Sequence, residues 1–193
     1  MKRVFLIHGW DGYPENNWFP WLKKELEARG FVVTAPAMPE PAAPHIDKWI
    51  PAIAVAVGVA DKDTYFVGHS MGCQAIAQYL QTLPLSEMVG GAVFVAGFFR
   101  RLTNLENNPE VRRIADEWLG ALIDFSKIKS HILGSVAIFS DDDRYVPLEN
   151  QDDFRDRFDS EIVIENNKGH FDDSRGIKTL PVALEAVIKL SNK

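Results

Sequence analysis

Six short apolar runs punctuate the chain: Val4–Ile7, Phe31–Ala35, Tyr65–Val67, Ala92–Ala96, Val136–Phe139 and Ile162–Ile164. Each is nearly continuous in Val, Ile, Phe and Ala and does not alternate with polar positions, which is how strands read when both faces of a sheet are covered. Between them lie stretches of helical period. Trp18–Arg29 stops at Gly30, and Ile46–Val57 contains Pro51, which belongs near a helix start or at a kink. Met71–Thr82 ends before Pro84, while Pro109–Leu122 opens with Asn108, Pro109 and Glu110 as N-cap, N1 and N2. Leu148–Phe158 and Lys178–Leu190 complete the set. Strands that alternate with helices imply parallel pairing through right-handed crossovers. The expected fold class is therefore α/β: a three-layer α/β/α sandwich around a central, mainly parallel sheet of about six strands. There is no repeat, linker or low-complexity tract, so residues 1–193 read as a single domain. Ligands of such sheets bind beyond the carboxyl ends of the strands, which directs attention to the residues just after each run.

After the third run comes Gly68-His69-Ser70-Met71-Gly72, a Gly-x-Ser-x-Gly between a strand and a helix. On such a turn the serine hydroxyl is pushed above the sheet edge, and small residues on either side let strand and helix approach. The helix start also offers unpaired N–H groups to a developing oxyanion. Ser70 is thus the expected nucleophile. Of the five histidines, His170 follows the last run and is the expected base. His8 and His69 flank glycines, so their backbones are expected to matter more than their rings; His45 lies beside a Pro-rich segment and His131 precedes the fifth run. Three aspartates, Asp141, Asp142 and Asp143, follow the fifth run; Asp143 is the preferred orienting acid and Asp142 the alternative. The order Ser70, Asp143, His170 matches Ser…Asp…His. Oxyanion donors are expected at the N–H groups of Met71 and Trp10, with Gly9 letting its loop pass close to the serine. The substrate pocket is expected to involve Gly9, Trp10, Phe98, Phe99 and Trp118.

Charge and composition narrow the alternatives. A formal net charge of −6, with each basic pair near acids, disfavours a nucleic-acid partner. No apolar stretch approaches the roughly 20 residues of a spanning helix, and the N-terminal run is too short for a signal peptide, so no membrane role and a cytoplasmic location are expected. The single cysteine, Cys73, allows no intrachain disulfide and fits a buried small residue better than a second nucleophile. No metal and no cofactor are expected, since no Cys/His cluster has ligand spacing and no Gly-rich phosphate loop is present.

These motifs together resemble the α/β-hydrolase superfamily, and more narrowly the small serine hydrolases related to retinoblastoma-binding protein 9 and the bacterial YdeN type. The resemblance runs over nearly the whole chain. It is carried by His8-Gly9-Trp10, Trp18 with Trp21-Leu22, Ala37-Met38-Pro39, Gly68-His69-Ser70, Asp143 with Val146-Pro147, and Gly169-His170-Phe171. It implies a pared-down hydrolase fold with strand order 2-1-3-4-5-6, no large cap domain, and a triad on Ser70, Asp143 and His170. The expected reaction is hydrolysis of a small-molecule ester or related acyl bond. The rival expectation is a protein-interaction module with a weak or vestigial site; the intact triad order argues against it, and the sequence indicates no protein partner.

Overall fold

The computed structural model describes residues 1–192. Six strands form one sheet: β1 (Arg3–Ile7), β2 (Val32–Thr34), β3 (Thr64–His69), β4 (Gly91–Val95), β5 (Ser135–Ser140) and β6 (Glu161–Glu165). All neighbouring pairs are parallel, in the order β2-β1-β3-β4-β5-β6. The helices are α1 (Phe19–Glu27), α2 (Ile46–Val57), α3 (Met71–Leu80), α4 (Pro109–Leu119), α5 (Phe125–Ser130), α6 (Gln151–Phe158) and α7 (Pro181–Ser191).

Side chains on a strand alternate between faces. Val4 and Leu6 of β1 accordingly pack with Leu22 of α1 and Val187 of α7, whereas Phe5 and Ile7 join Trp49 and Ile53 of α2 and Phe154 of α6. Every residue of β3, β4 and β5 is buried, which accounts for the unbroken apolar runs read from the sequence. The edge strand β6 is only half-covered and carries Glu161 and Glu165 at its ends, charges that discourage further pairing.

The differences from the expected elements have local causes. α4 stops at Leu119 because Gly120 caps it, and the chain then starts a separate helix, α5, on the Asp124 carboxylate, which accepts the Lys127 N–H at 3.0 Å. α7 begins at Pro181, not Lys178, with the proline in the first turn where its missing N–H costs nothing. Pro51 lies inside α2, which gives up one backbone hydrogen bond there.

The chain leaves β1 toward β2 on one side and, from β3 onward, advances on the other. The crevice between the ends of β1 and β3 is therefore a topological switch point. Two glycines set how tightly it closes. A Cβ at Gly72 would lie 2.2 Å from the Ile7 carbonyl oxygen, and one at Gly68 would lie 2.8 Å from the Cys73 nitrogen. Both obstacles are backbone, so neither can swing aside. Gly72→Ala is expected to lower stability by about 1–3 kcal/mol or more. Urea denaturation reads this directly, and an unchanged midpoint would mean that β1 and α3 can separate at little cost.

Candidate active site

Ser70 sits at the turn from β3 into α3 with φ 54° and ψ −120°, a backbone conformation that L residues rarely adopt. Its N–H donates to the Val95 carbonyl at 2.8 Å, tying the turn to β4. The first loop passes so close that a Cβ at Gly9 would lie 3.0 Å from the Ser70 Cβ.

The aspartate run after β5 divides its work. The Asp143 side chain is only 2% exposed; its Oδ1 accepts the N–H groups of Tyr145 and Val146 at 2.8 and 3.0 Å, leaving Oδ2 to meet His170 Nδ1 at 2.8 Å. Asp142 turns the other way. It accepts the Gly169 N–H at 2.7 Å and the Ser140 hydroxyl at 2.8 Å and pairs with Arg175 at 2.6 Å. The hydrogen bonds from Gly169 and Ser140 hold its carboxyl below the usual carboxylate range. Asp141 accepts the Asn167 N–H at 2.9 Å, and Ser140 Oγ accepts that of Lys168 at 3.0 Å. The end of β5 thus fastens three successive N–H groups of the turn that carries His170. The turn needs fastening, because Asn167, Gly169 and Phe171 all have φ between 55° and 57°.

Ser70 and His170 border the same two cavities without a direct hydrogen bond between them; such bonds are often loose until substrate binds. The first cavity, of about 250 Å³, runs from His8–Gly12 past Asn16 and Asn17 to Asp172–Ser174. The second, of about 240 Å³, is bordered by Trp10, Met71, Phe98, Leu102, Leu105 and Tyr145, together with Asp172, which also borders the first.

The family model described as serine hydrolase matches residues 4–189. The chain belongs to the serine hydrolase family. Bacillus subtilis YdeN, which carries the name of a hydrolase, is 31% identical over 192 residues, covering 100% of this chain and 97% of its own. The crystal structure of the ydeN gene product superposes with a TM-score of 0.91 at 30% identity, covering 100% of both chains. Rattus norvegicus serine hydrolase RBBP9 is 27% identical over 157 residues, 81% of this chain and 78% of its own. Est1E from Butyrivibrio proteoclasticus shares the fold at 14% identity and a TM-score of 0.73, over 100% of this chain and 89% of that one. The α/β-hydrolase fold and strand order expected from the resemblance are those observed.

In this serine hydrolase the expected oxyanion donors lie beside Ser70. Met71 is the first residue of α3, so its N–H has no partner within the helix, and Trp10 and Met71 both border the apolar cavity. The Trp10 indole donates to the Ala42 carbonyl at 3.0 Å, which holds the ring as a wall. Phe98 borders the same cavity, but Phe99 and Trp118 do not, and both assignments are corrected. Phe99 turns away to pack against Phe125, Phe154 and Phe158. Trp118 is fully buried against Trp49 and donates to the Pro44 carbonyl at 3.0 Å, so it anchors α4 to the Pro-rich loop. Cys73 is buried with its thiol against the Val95 carbonyl at 3.4 Å, and burial pushes its pKa up, as befits an inert residue.

Two histidine rings do more than the sequence suggested. His8 Nε2 accepts the Met38 N–H at 3.0 Å while Nδ1 donates to the Gly9 carbonyl at 2.9 Å, so one neutral tautomer spans the first loop, and burial lowers its pKa. His69 Nε2 donates to the His170 carbonyl at 2.7 Å. The neighbouring carbonyl, that of Phe171, accepts the Trp18 indole N–H at 3.1 Å. No sequence signal marks either bond, because the partners stand 101 and 153 residues apart. Leu102, Leu105, Tyr145 and Asp172 were likewise not anticipated at the site.

Burial lowers the His69 pKa to about 4, from the ordinary 6.5. Below pH 6.5 the unfolded chain takes up a proton that the folded protein refuses until about pH 4, so stability is full above that window and falls as pH drops through it. At neutral pH the ring is uncharged in both states, so the effect is a penalty that appears only as pH falls, and His8 acts with the same sign. His69→Gln retains an N–H for the His170 carbonyl but does not titrate. Chemical denaturation between pH 7 and 4.5 should show a steeper loss for the wild type than for this variant; equal slopes would refute a neutral buried ring.

Proposed function

We propose that this serine hydrolase cleaves esters of short acyl groups through an acyl-enzyme on Ser70. The observation that carries the reading is the 2.8 Å contact between His170 Nδ1 and Asp143 Oδ2, made beside a serine on a strained strand-to-helix turn. With Nδ1–H donated to Asp143, the neutral imidazole keeps its lone pair on Nε2, the atom that accepts a proton from Ser70. Ser70 Oγ then attacks the acyl carbon. Asp143 stabilises the imidazolium, and the N–H groups of Met71 and Trp10 receive the oxyanion, a donor of this kind being worth about 3–4 kcal/mol. His170 returns its proton to the leaving group, and water, activated by the same ring, releases the acid.

The apolar cavity supports the choice of acyl group. Met71, Phe98, Leu102, Leu105 and Tyr145 offer hydrocarbon surface to a small chain, and the cavity of about 240 Å³ leaves little room for a fatty tail. The reading also places the protein in the cytoplasm as a single domain with no bound cofactor.

A fluorophosphonate probe tests the chemistry. It should label Ser70, and Ser70→Ala should lose both labelling and p-nitrophenyl acetate hydrolysis while keeping its melting temperature; wild-type turnover in this variant would remove Ser70 from the mechanism. Asp143→Asn should cut kcat by up to about 10⁴ by analogy with the serine-protease triad. Asp141→Asn and Asp142→Asn keep an oxygen to accept the Asn167 and Gly169 N–H groups and should lose far less. A larger loss at Asp142 would transfer the orienting role to it.

Chain length tests the pocket. Across p-nitrophenyl esters from acetate to palmitate, kcat/KM should be highest among the short acids. An optimum at palmitate would mean that the acyl chain lies somewhere other than the cavity of Phe98 and Leu105.

A further inference from the structure

We propose that the polar cavity beside Ser70 receives the leaving group of the substrate and selects one that carries a protonated amine, such as the amino alcohol of an ester. The inference rests on the hydrolase reading above and adds the chemistry of the departing half.

Two cavities of similar size meet at Ser70 and His170; Trp10 and Asp172 border both, but Asp11, Asp173 and His69 border only the first, and Phe98, Leu102 and Leu105 only the second. The apolar one suits the acyl group, which leaves the other for the group that departs. Its lining includes three carboxylates, Asp11, Asp172 and Asp173, and no lysine or arginine. Asp173 is neutralised by Lys178 at 2.6 Å. Asp11 and Asp172 have no ion-pair partner among the described residues. Asp172 uses one oxygen, Oδ1, to hold the Ser174 N–H at 3.0 Å and the Ser174 hydroxyl at 2.5 Å.

His69 supplies an independent observation. Its ring is only 6% exposed and borders this cavity. Because Nε2–H is committed to the His170 carbonyl and burial keeps the ring neutral, Nδ1 carries a lone pair. That nitrogen makes no hydrogen bond among the described residues, yet it is not one of the polar atoms sealed off without a partner. The cavity wall thus presents an acceptor from a buried ring together with two uncompensated negative charges. A neutral hydroxyl would satisfy the ring and leave the charges unanswered. An anionic group would be repelled by both carboxylates. An ammonium with at least one N–H answers all three.

The chemistry balances without further reactants. Ser70 Oγ forms its bond to the acyl carbon, the bond from that carbon to the leaving oxygen breaks, and the proton held by His170 passes to that oxygen. An amino alcohol departs with its ammonium unchanged.

Three butyrate esters test the charge at nearly constant shape: 2-(dimethylamino)ethyl, its neutral isostere 3-methylbutyl, and the anionic 2-carboxyethyl ester. With each kcat/KM divided by the rate of hydroxide hydrolysis, the order should be cationic, neutral, anionic. The first step should be about tenfold at low ionic strength and should shrink in about 0.5 M salt. Asp11→Asn removes one charge at a position whose φ of 55° asparagine tolerates, and should reduce the cationic-to-neutral ratio by about threefold. Equal normalised rates for the three esters, a preference for the anion, or an unchanged ratio in Asp11→Asn would overturn the inference. Continued fluorophosphonate labelling of Ser70 in that event would leave the hydrolase reading standing, whereas loss of labelling together with loss of all three activities would bring down both.

Discussion

The missing side chain of residue 72 lets the start of α3 rest against the end of β1, where a Cβ would come within 2.2 Å of the Ile7 carbonyl oxygen. From that contact the rest of the site follows. With α3 so close, the loop leaving β1 has to cross directly above the β3–α3 turn, and Gly9 lets it do so 3.0 Å from the serine Cβ. The two N–H groups assigned to the oxyanion belong to these two segments, one from each side of the contact. A wider crevice would leave Ser70 with one such neighbour.

The second requirement is a histidine held still on a turn that would otherwise relax. Three residues of that turn adopt left-handed backbone angles, each of which costs of order 1 kcal/mol outside glycine. The compensation is distributed. Ser140, Asp141 and Asp142 grip the N–H groups, and His69 and Trp18 grip the two carbonyls that follow. His69, the last residue of the strand that presents Ser70, therefore also holds the backbone that presents His170.

Much of this was legible in the chain. The strands could be read because their residues are buried on both faces, their order came from the family resemblance, and Ser70 and His170 could be singled out because glycines and strand ends mark the places where backbone must bend sharply. Asp143 was separable from Asp142 only by preference, since neighbouring residues on a turn point in directions that composition does not encode. Phe99 and Trp118 show a different limit. An aromatic near a strand end can face either a cavity or a helix, and for both residues packing partners supplied by α2, α5 and α6 decided the matter. The helix α5 went unread because its apolar content is small and its only local signal is the capping aspartate.

The bond from the Trp18 indole to the Phe171 carbonyl spans 153 residues, and that from His69 to the His170 carbonyl spans 101. Contacts of such sequence separation form late, after the entropy of closing the intervening chain has been met. During synthesis, the serine and its elbow leave the ribosome with roughly 100 residues still to come before the histidine appears. A nascent chain can therefore complete β1 to β4 before the turn that carries His170 exists. Under the proposed mechanism, the base joins the serine only once the last strand and the turn after it have been made.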